Sequence, residues 1–106
     1  MRLLTLYVKP FKLDAVVEAL IPFAEGGVSL EEVRGYGRQK GHLELYTGSE
    51  YQITFLPKVK LELLCAAPRE RAARDAACAA ARTGRIGDGK ILVREVRHIE
   101  TLGPSR

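Results

Sequence analysis

Two cysteines, Cys65 and Cys78, are all that this 106-residue chain offers for disulfide or thiolate chemistry. They form neither a C-x-x-C pair nor a spaced framework, which excludes a disulfide scaffold and leaves two buried free thiols in a reducing compartment as the expected state. Histidine is as scarce, with His42 and His98 the only two. No serine or cysteine joins either of them in a nucleophile constellation, so no catalytic residue is assigned and an enzyme is not expected. His42 and Glu44 could hold a metal, but a lone His-x-Glu falls short of a ligand set and reads as a solvated pair. Long apolar runs are also missing. The chain reaches Lys9-Pro10 after eight residues, too soon for the apolar core of a secretory signal, and no run approaches a membrane span. A cytoplasmic protein is the expectation.

What the chain does have is an ordinary globular mixture, 46% hydrophobic and 28% charged, in a length that supports one core and therefore one domain over 1–106. Seventeen Lys and Arg against 13 acids give a net charge of +4 and a pI near 9.3. Such a balance fits either an anion-binding role or a solvated basic surface. Nucleic acid is not the expected partner. The cations are scattered, and no helix-turn-helix, finger or RNP-like aromatic signature accompanies them.

Leu3 to Val8 is a short apolar run whose continuity suits a central strand with both faces covered. Leu13, Val16, Val17, Leu20 and Ile21 then fall on one helical stripe, with Asp14 in the first turn and Pro22 and Gly26-Gly27 closing it. Val28 to Tyr36 reads as a second strand in which Glu31 and Glu32 break the alternation, so a bulge is expected there. Val59, Leu61, Leu63 and Cys65 alternate with Lys58, Lys60 and Glu62 as in a half-buried strand. Pro68 opens an alanine-rich helix that lies close to the sheet, and Thr83-Gly84 ends it with glycine at C′. Lys90 to Val96 is the final strand. The order β-α-β-β-α-β is the split βαβ arrangement, with two helices on one face of an antiparallel sheet. Its other face is expected to bury itself against further copies of the chain.

Between the second and third strands the chain reads RGYGRQKGHLELYTGSEYQITFLPKVK. From Gly37 to Tyr51 it shows no sustained apolar periodicity, which predicts a long, mobile, exposed loop. A loop of that length in so small a chain is usually functional or disordered. Its foot carries Arg38, Gln39, Lys40 and Lys58 beside glycines whose N–H groups can approach an anion closely.

Thr83 to Lys90, TGRIGDGK, nearly spells a Walker A loop. Ile91 stands where a magnesium-binding Ser or Thr is required, and the context runs helix to loop to strand, so a P-loop NTPase is excluded. The residues alone leave two readings open: glycine N–H groups and a lysine that cradle phosphate, or an ordinary connection with a GDG turn.

These two segments, with KPFKLDAVVEAL near the start, closely resemble the PII family of signal-transduction proteins, from residue 1 to about 97. The resemblance implies a ferredoxin-like fold, a homotrimer, and three clefts between subunits for ATP or ADP. It also implies that 2-oxoglutarate joins Mg2+ and ATP at the base of the long loop, the T-loop, taken as about 37–55. Position by position, it implies that Gly35, Gly37 and Arg38 line the nucleotide cleft with Ser29 near the adenine. Gly87, Asp88, Gly89 and Lys90 would cradle the phosphates in a loop of about 83–90. Gln39 would ligate magnesium and touch 2-oxoglutarate, Lys58 would pair with its distal carboxylate, and Gly41 would add a backbone contact. Tyr51 matches a tyrosine that is uridylylated in many members. The implied partners are regulatory targets of nitrogen metabolism, such as an ammonium channel or a uridylyltransferase.

The chain also departs from the family pattern. Thr101 and Gly103 occupy the places of an arginine pair that usually reaches phosphate across the subunit interface. Thr47, Leu92, Ser29 and Tyr7 are smaller differences. A divergent PII-like sensor, answering to ADP, AMP or another small anion, is the nearest alternative. An RNA-binding or purely oligomerising ferredoxin-like domain is the third.

Overall fold

The computed structural model describes residues 1–38 and 53–104, with 36–38 and 53–56 described by their backbone. Six main elements follow in the predicted order: β1 (Arg2–Val8), α1 (Leu13–Leu20), β2 (Val28–Arg38), β3 (Ile53–Cys65), α2 (Glu70–Ala81) and β4 (Gly89–Glu95). Their four strands form one antiparallel sheet in the order β2-β3-β1-β4, and this is the ferredoxin-like α+β fold.

Strand pleating sorts the side chains into two layers. Leu4, Leu6 and Val8 of β1 and Val59, Leu61, Leu63 and Cys65 of β3 point to the helix side, where they are buried with Val16, Leu20, Ala73 and Ala77. Alanine, as Ala73 and Ala77, is the whole contribution of α2 to this fully buried set. Both helices enter through a short 3-10 turn carrying a proline, Pro10–Lys12 and Ala67–Arg69, where the missing N–H of proline costs nothing. Arg69 ties the two helices together. It donates to the Pro22 carbonyl at 2.8 Å and lies 4.4 Å from the centre of the Phe23 ring, a cation–π distance.

Three expectations change. The β2–β3 ladder runs without interruption from Val28 opposite Leu63 to Arg38 opposite Ile53, so the bulge expected at Glu31 and Glu32 is not present. Regular pairing tolerates both acids because β2 is an edge strand: Glu31 stands opposite Lys60, and Glu32 is exposed. The second change is at the end of α2. The helix stops at Ala81, Arg82 is already extended, and Gly84 therefore lies beyond the C′ position predicted for it. The third concerns the loop. The strands continue through Gly37 and Arg38 and resume at Ile53, so both ends of the stretch taken as loop belong to the ribbon.

Among the described residues, the second face of the sheet carries no helix. Thr5 is buried there, with its hydroxyl 2.7 Å from a Glu62 carboxylate oxygen, while Leu3 and Tyr7 are part-exposed. Within one chain β1 thus has one covered face, not the two expected from its apolar run.

Candidate functional site

The foot of the β2–β3 ribbon meets the connection between α2 and β4. Register explains how. The β1–β3 pairing ends at Val8 opposite Val59, which brings Lys9 beside Lys58, and the β1–β4 pairing ends at Val8 opposite Gly89, which brings Lys9 beside Asp88. Two lysines from distant parts of the chain therefore converge on the loop 83–90.

That loop is organised by one carboxylate. Asp88 accepts from the Thr83 N–H at 2.7 Å and the Gly84 N–H at 2.8 Å, and the Thr83 hydroxyl donates to its other oxygen. These are the N–H groups that a longer α2 would have turned toward its own carbonyls, which is why the helix ends early. Lys9 completes the set, its Nζ 3.1 Å from Asp88 Oδ1 and 3.4 Å from Thr83 Oγ1. Lys58 Nζ donates instead to the backbone carbonyl of Gly87.

The same contacts set the electrostatics. The Thr83 hydroxyl above all, then the Thr83 N–H, Lys9 and the Gly84 N–H, hold the Asp88 carboxyl well below the usual range against an opposing desolvation. Burial lowers the Lys58 ammonium below the ordinary lysine value, and repulsion by Lys9 adds to this, while Asp88 offsets part of it. A pH dependence follows. Because the folded value of Asp88 is depressed, its hold on the loop is complete above the ordinary aspartate value of about 3.9 and is lost only as pH falls further, through the folded value. Amide shifts of Thr83 and Gly84 followed against pH should stay constant down to about pH 4 and move well below it. A midpoint at or above the ordinary value would contradict this account.

Glycine is required at one place in the loop. Gly89 has φ +125°, and a Cβ there would sit 1.9 Å from the Tyr7 carbonyl oxygen. Lys90 follows it, paired with Tyr7 and exposed on the face of the sheet that has no helix. A cleft of about 370 Å³ opens on the helix side, between α2 and β4; its lining includes Asp88, Gly89 and Lys90 but neither Lys58 nor Gly87.

Of the predicted site residues, the structure brings together Lys58, Gly87, Asp88, Gly89 and Lys90. Gly35 lies two positions along β2 from Val33, the partner of Lys58, and Gly37 and Arg38 extend the same strand, paired with Thr54 and Ile53. Ser29 is elsewhere. It pairs with Glu62, whose carbonyl its hydroxyl approaches at 3.4 Å, and it is four residues, roughly 13 Å at the usual strand rise, from Val33. Gln39, Gly41, His42, Glu44 and Tyr51 lie outside the described residues. Lys9 was missed. Its signal was positional, since a lysine at the close of a central strand stands in register with the lysine that opens the alternating run of β3.

Comparison with known proteins gives the family. The family model for nitrogen regulatory protein P-II matches residues 1–105. The nitrogen regulatory protein P-II of Rhizobium etli is 49% identical over 92% of this chain and 88% of its own length. The nitrogen regulatory protein GlnK of Escherichia coli is 48% identical over 93% of this chain and 88% of its own, and the P-II protein of Bradyrhizobium diazoefficiens is 53% identical over 84% and 80%. The chain belongs to the P-II family of nitrogen regulatory proteins, which are regulatory signal proteins and not enzymes.

Proposed function

We propose that the chain senses ATP or ADP together with 2-oxoglutarate and regulates proteins of nitrogen metabolism through the loop that follows Arg38. The observation that carries this reading is the convergence of Lys58 and the loop Gly87 to Lys90 at the foot of the β2–β3 ribbon. A ligand at that point would touch both the phosphate loop and the base of the T-loop. Anions bound there would select loop conformations by differential contact, and the loop would dock on a target or miss it.

Roles follow from the chemistry. The Asp88 carboxylate is taken up by Thr83, Gly84 and Lys9, and as an anion it repels phosphate, so its part in the cradle is to shape the loop. Phosphate would be met by backbone N–H groups of Gly87 and Gly89 and by Lys90. Lys58 supplies a point charge for the distal carboxylate of 2-oxoglutarate, while Gln39 offers an amide oxygen to Mg2+ and Gly41 a backbone contact. Tyr51 is the candidate for uridylylation.

Among the described residues the face without helices carries Leu3, Thr5, Tyr7, Leu64 and Leu92 at its middle, which supports burial of that face between copies. The chain would assemble as a homotrimer whose nucleotide cleft is shared between Ser29 of one subunit and the phosphate loop of the next. No helix among the described residues is long and apolar enough to cross a membrane, and a cytoplasmic site of action fits, with an ammonium channel or a uridylyltransferase as targets.

Isothermal titration of ATP, ADP and AMP, with and without Mg2+ and 2-oxoglutarate, tests the proposal. The expected result is ATP binding, with 2-oxoglutarate bound only alongside MgATP. Thr101 and Gly103, in an exposed C-terminal segment, favour one alternative: a divergent sensor that binds ADP or AMP and ignores 2-oxoglutarate. Absence of any nucleotide binding would overturn both.

A further inference from the structure

Among the described residues, Lys58 takes the neutral carbonyl of Gly87 as its acceptor and not the carboxylate of the adjacent Asp88, whose charge it feels. A charged acceptor makes the stronger hydrogen bond, by roughly a factor of two, so the choice of the weaker one needs a cause. The cause is visible. Lys9 Nζ stands 3.1 Å from Asp88 Oδ1, with both side chains about one-fifth exposed, and the carboxylate's other contacts go to Thr83 and Gly84. Asp88 is thereby neutralised and filled before Lys58 can reach it.

We propose that Lys9 is a positioning residue that engages Asp88 itself, so that Lys58 rests on a neutral carbonyl from which an incoming carboxylate can take it. This rests on the reading of Lys58 as the site of an anionic effector. Without Lys9, the Asp88 carboxylate would draw Lys58 into an ion pair, and a ligand would have to break that pair. A carbonyl gives up an ammonium at far lower cost than a carboxylate does.

The test compares the wild-type protein with Lys9→Met, Lys9→Arg and the double variant Lys9→Met/Asp88→Asn. Titration of the Lys58 side chain by NMR in the ligand-free protein needs no effector. Lys9→Met should raise the Lys58 value, since a repelling charge is removed and Asp88 becomes available, and the double variant should return it toward wild type. Binding of 2-oxoglutarate in the presence of MgATP should weaken about tenfold in Lys9→Met and recover in Lys9→Arg and in the double variant. A merely structural Lys9 would give loss without recovery in the double variant, which overturns the proposal. An unchanged or lowered Lys58 value in Lys9→Met overturns it too. If wild type ignores 2-oxoglutarate, the effector reading fails, and the ligand-free titration still decides the role of Lys9.

Discussion

Gly89→Ala is expected to cost about 3 kcal/mol or more of folding stability, a large share of the roughly 5–15 kcal/mol that holds a domain folded. Two penalties act together. At φ +125° an alanine side chain is strained whatever surrounds it, and here the added carbon would stand 1.9 Å from the Tyr7 carbonyl oxygen. Tyr7 cannot yield, because it is paired with Lys60 on one side and Lys90 on the other. Relief would have to come from β4, which would lose its pairing at Val8 and carry Lys90 away from the site. Gly87→Ala is the control. Its φ of +86° imposes strain, but the nearest atom to a new Cβ is the end of the Lys58 side chain at 3.8 Å, so only about 1–2 kcal/mol is expected. Urea unfolding of the two variants separates the effects, and equal midpoints would show that the close approach to Tyr7 does not matter.

The sequence shows much of the framework because the framework is periodic. Leu4, Leu6 and Val8 are followed by the stripe from Leu13 to Leu20, and the alternation through Val59 to Cys65 is equally regular; each reports which face is buried without reference to any other segment. Features that depend on a partner were less legible. Gly37 read as loop because glycine is a poor strand former, yet it is held in β2 by pairing with Thr54. The end of α2 is fixed by Asp88, a residue on the far side of the loop. Glu31 and Glu32 suggested a bulge only because the edge position of β2 is not written in its own residues. The same limit applies to the candidate site. TGRIGDGK and Lys58 carry local chemistry that the sequence displays, whereas Lys9 acquires its place through two strand registers and Ser29 stands apart within a single chain.

Lys58→Met should leave the fold nearly intact and reduce 2-oxoglutarate binding about a hundredfold. The structural loss is one hydrogen bond to the Gly87 carbonyl, worth about 1 kcal/mol, from a side chain whose methylene stem methionine replaces. The functional loss is larger because a carboxylate desolvated at the foot of the ribbon would have lost its countercharge. Nucleotide affinity should change far less, since the phosphates would be met by Gly87, Gly89 and Lys90. Lys58→Arg should rescue only in part: guanidinium keeps the charge, but its planar fork suits a different approach to both the carboxylate and the single Gly87 carbonyl. Titration of 2-oxoglutarate into each variant under saturating MgATP reads these differences directly. Binding that survives Lys58→Met unchanged would move the effector away from β3 altogether, and would leave the Gly87 contact as the only role the geometry gives this lysine.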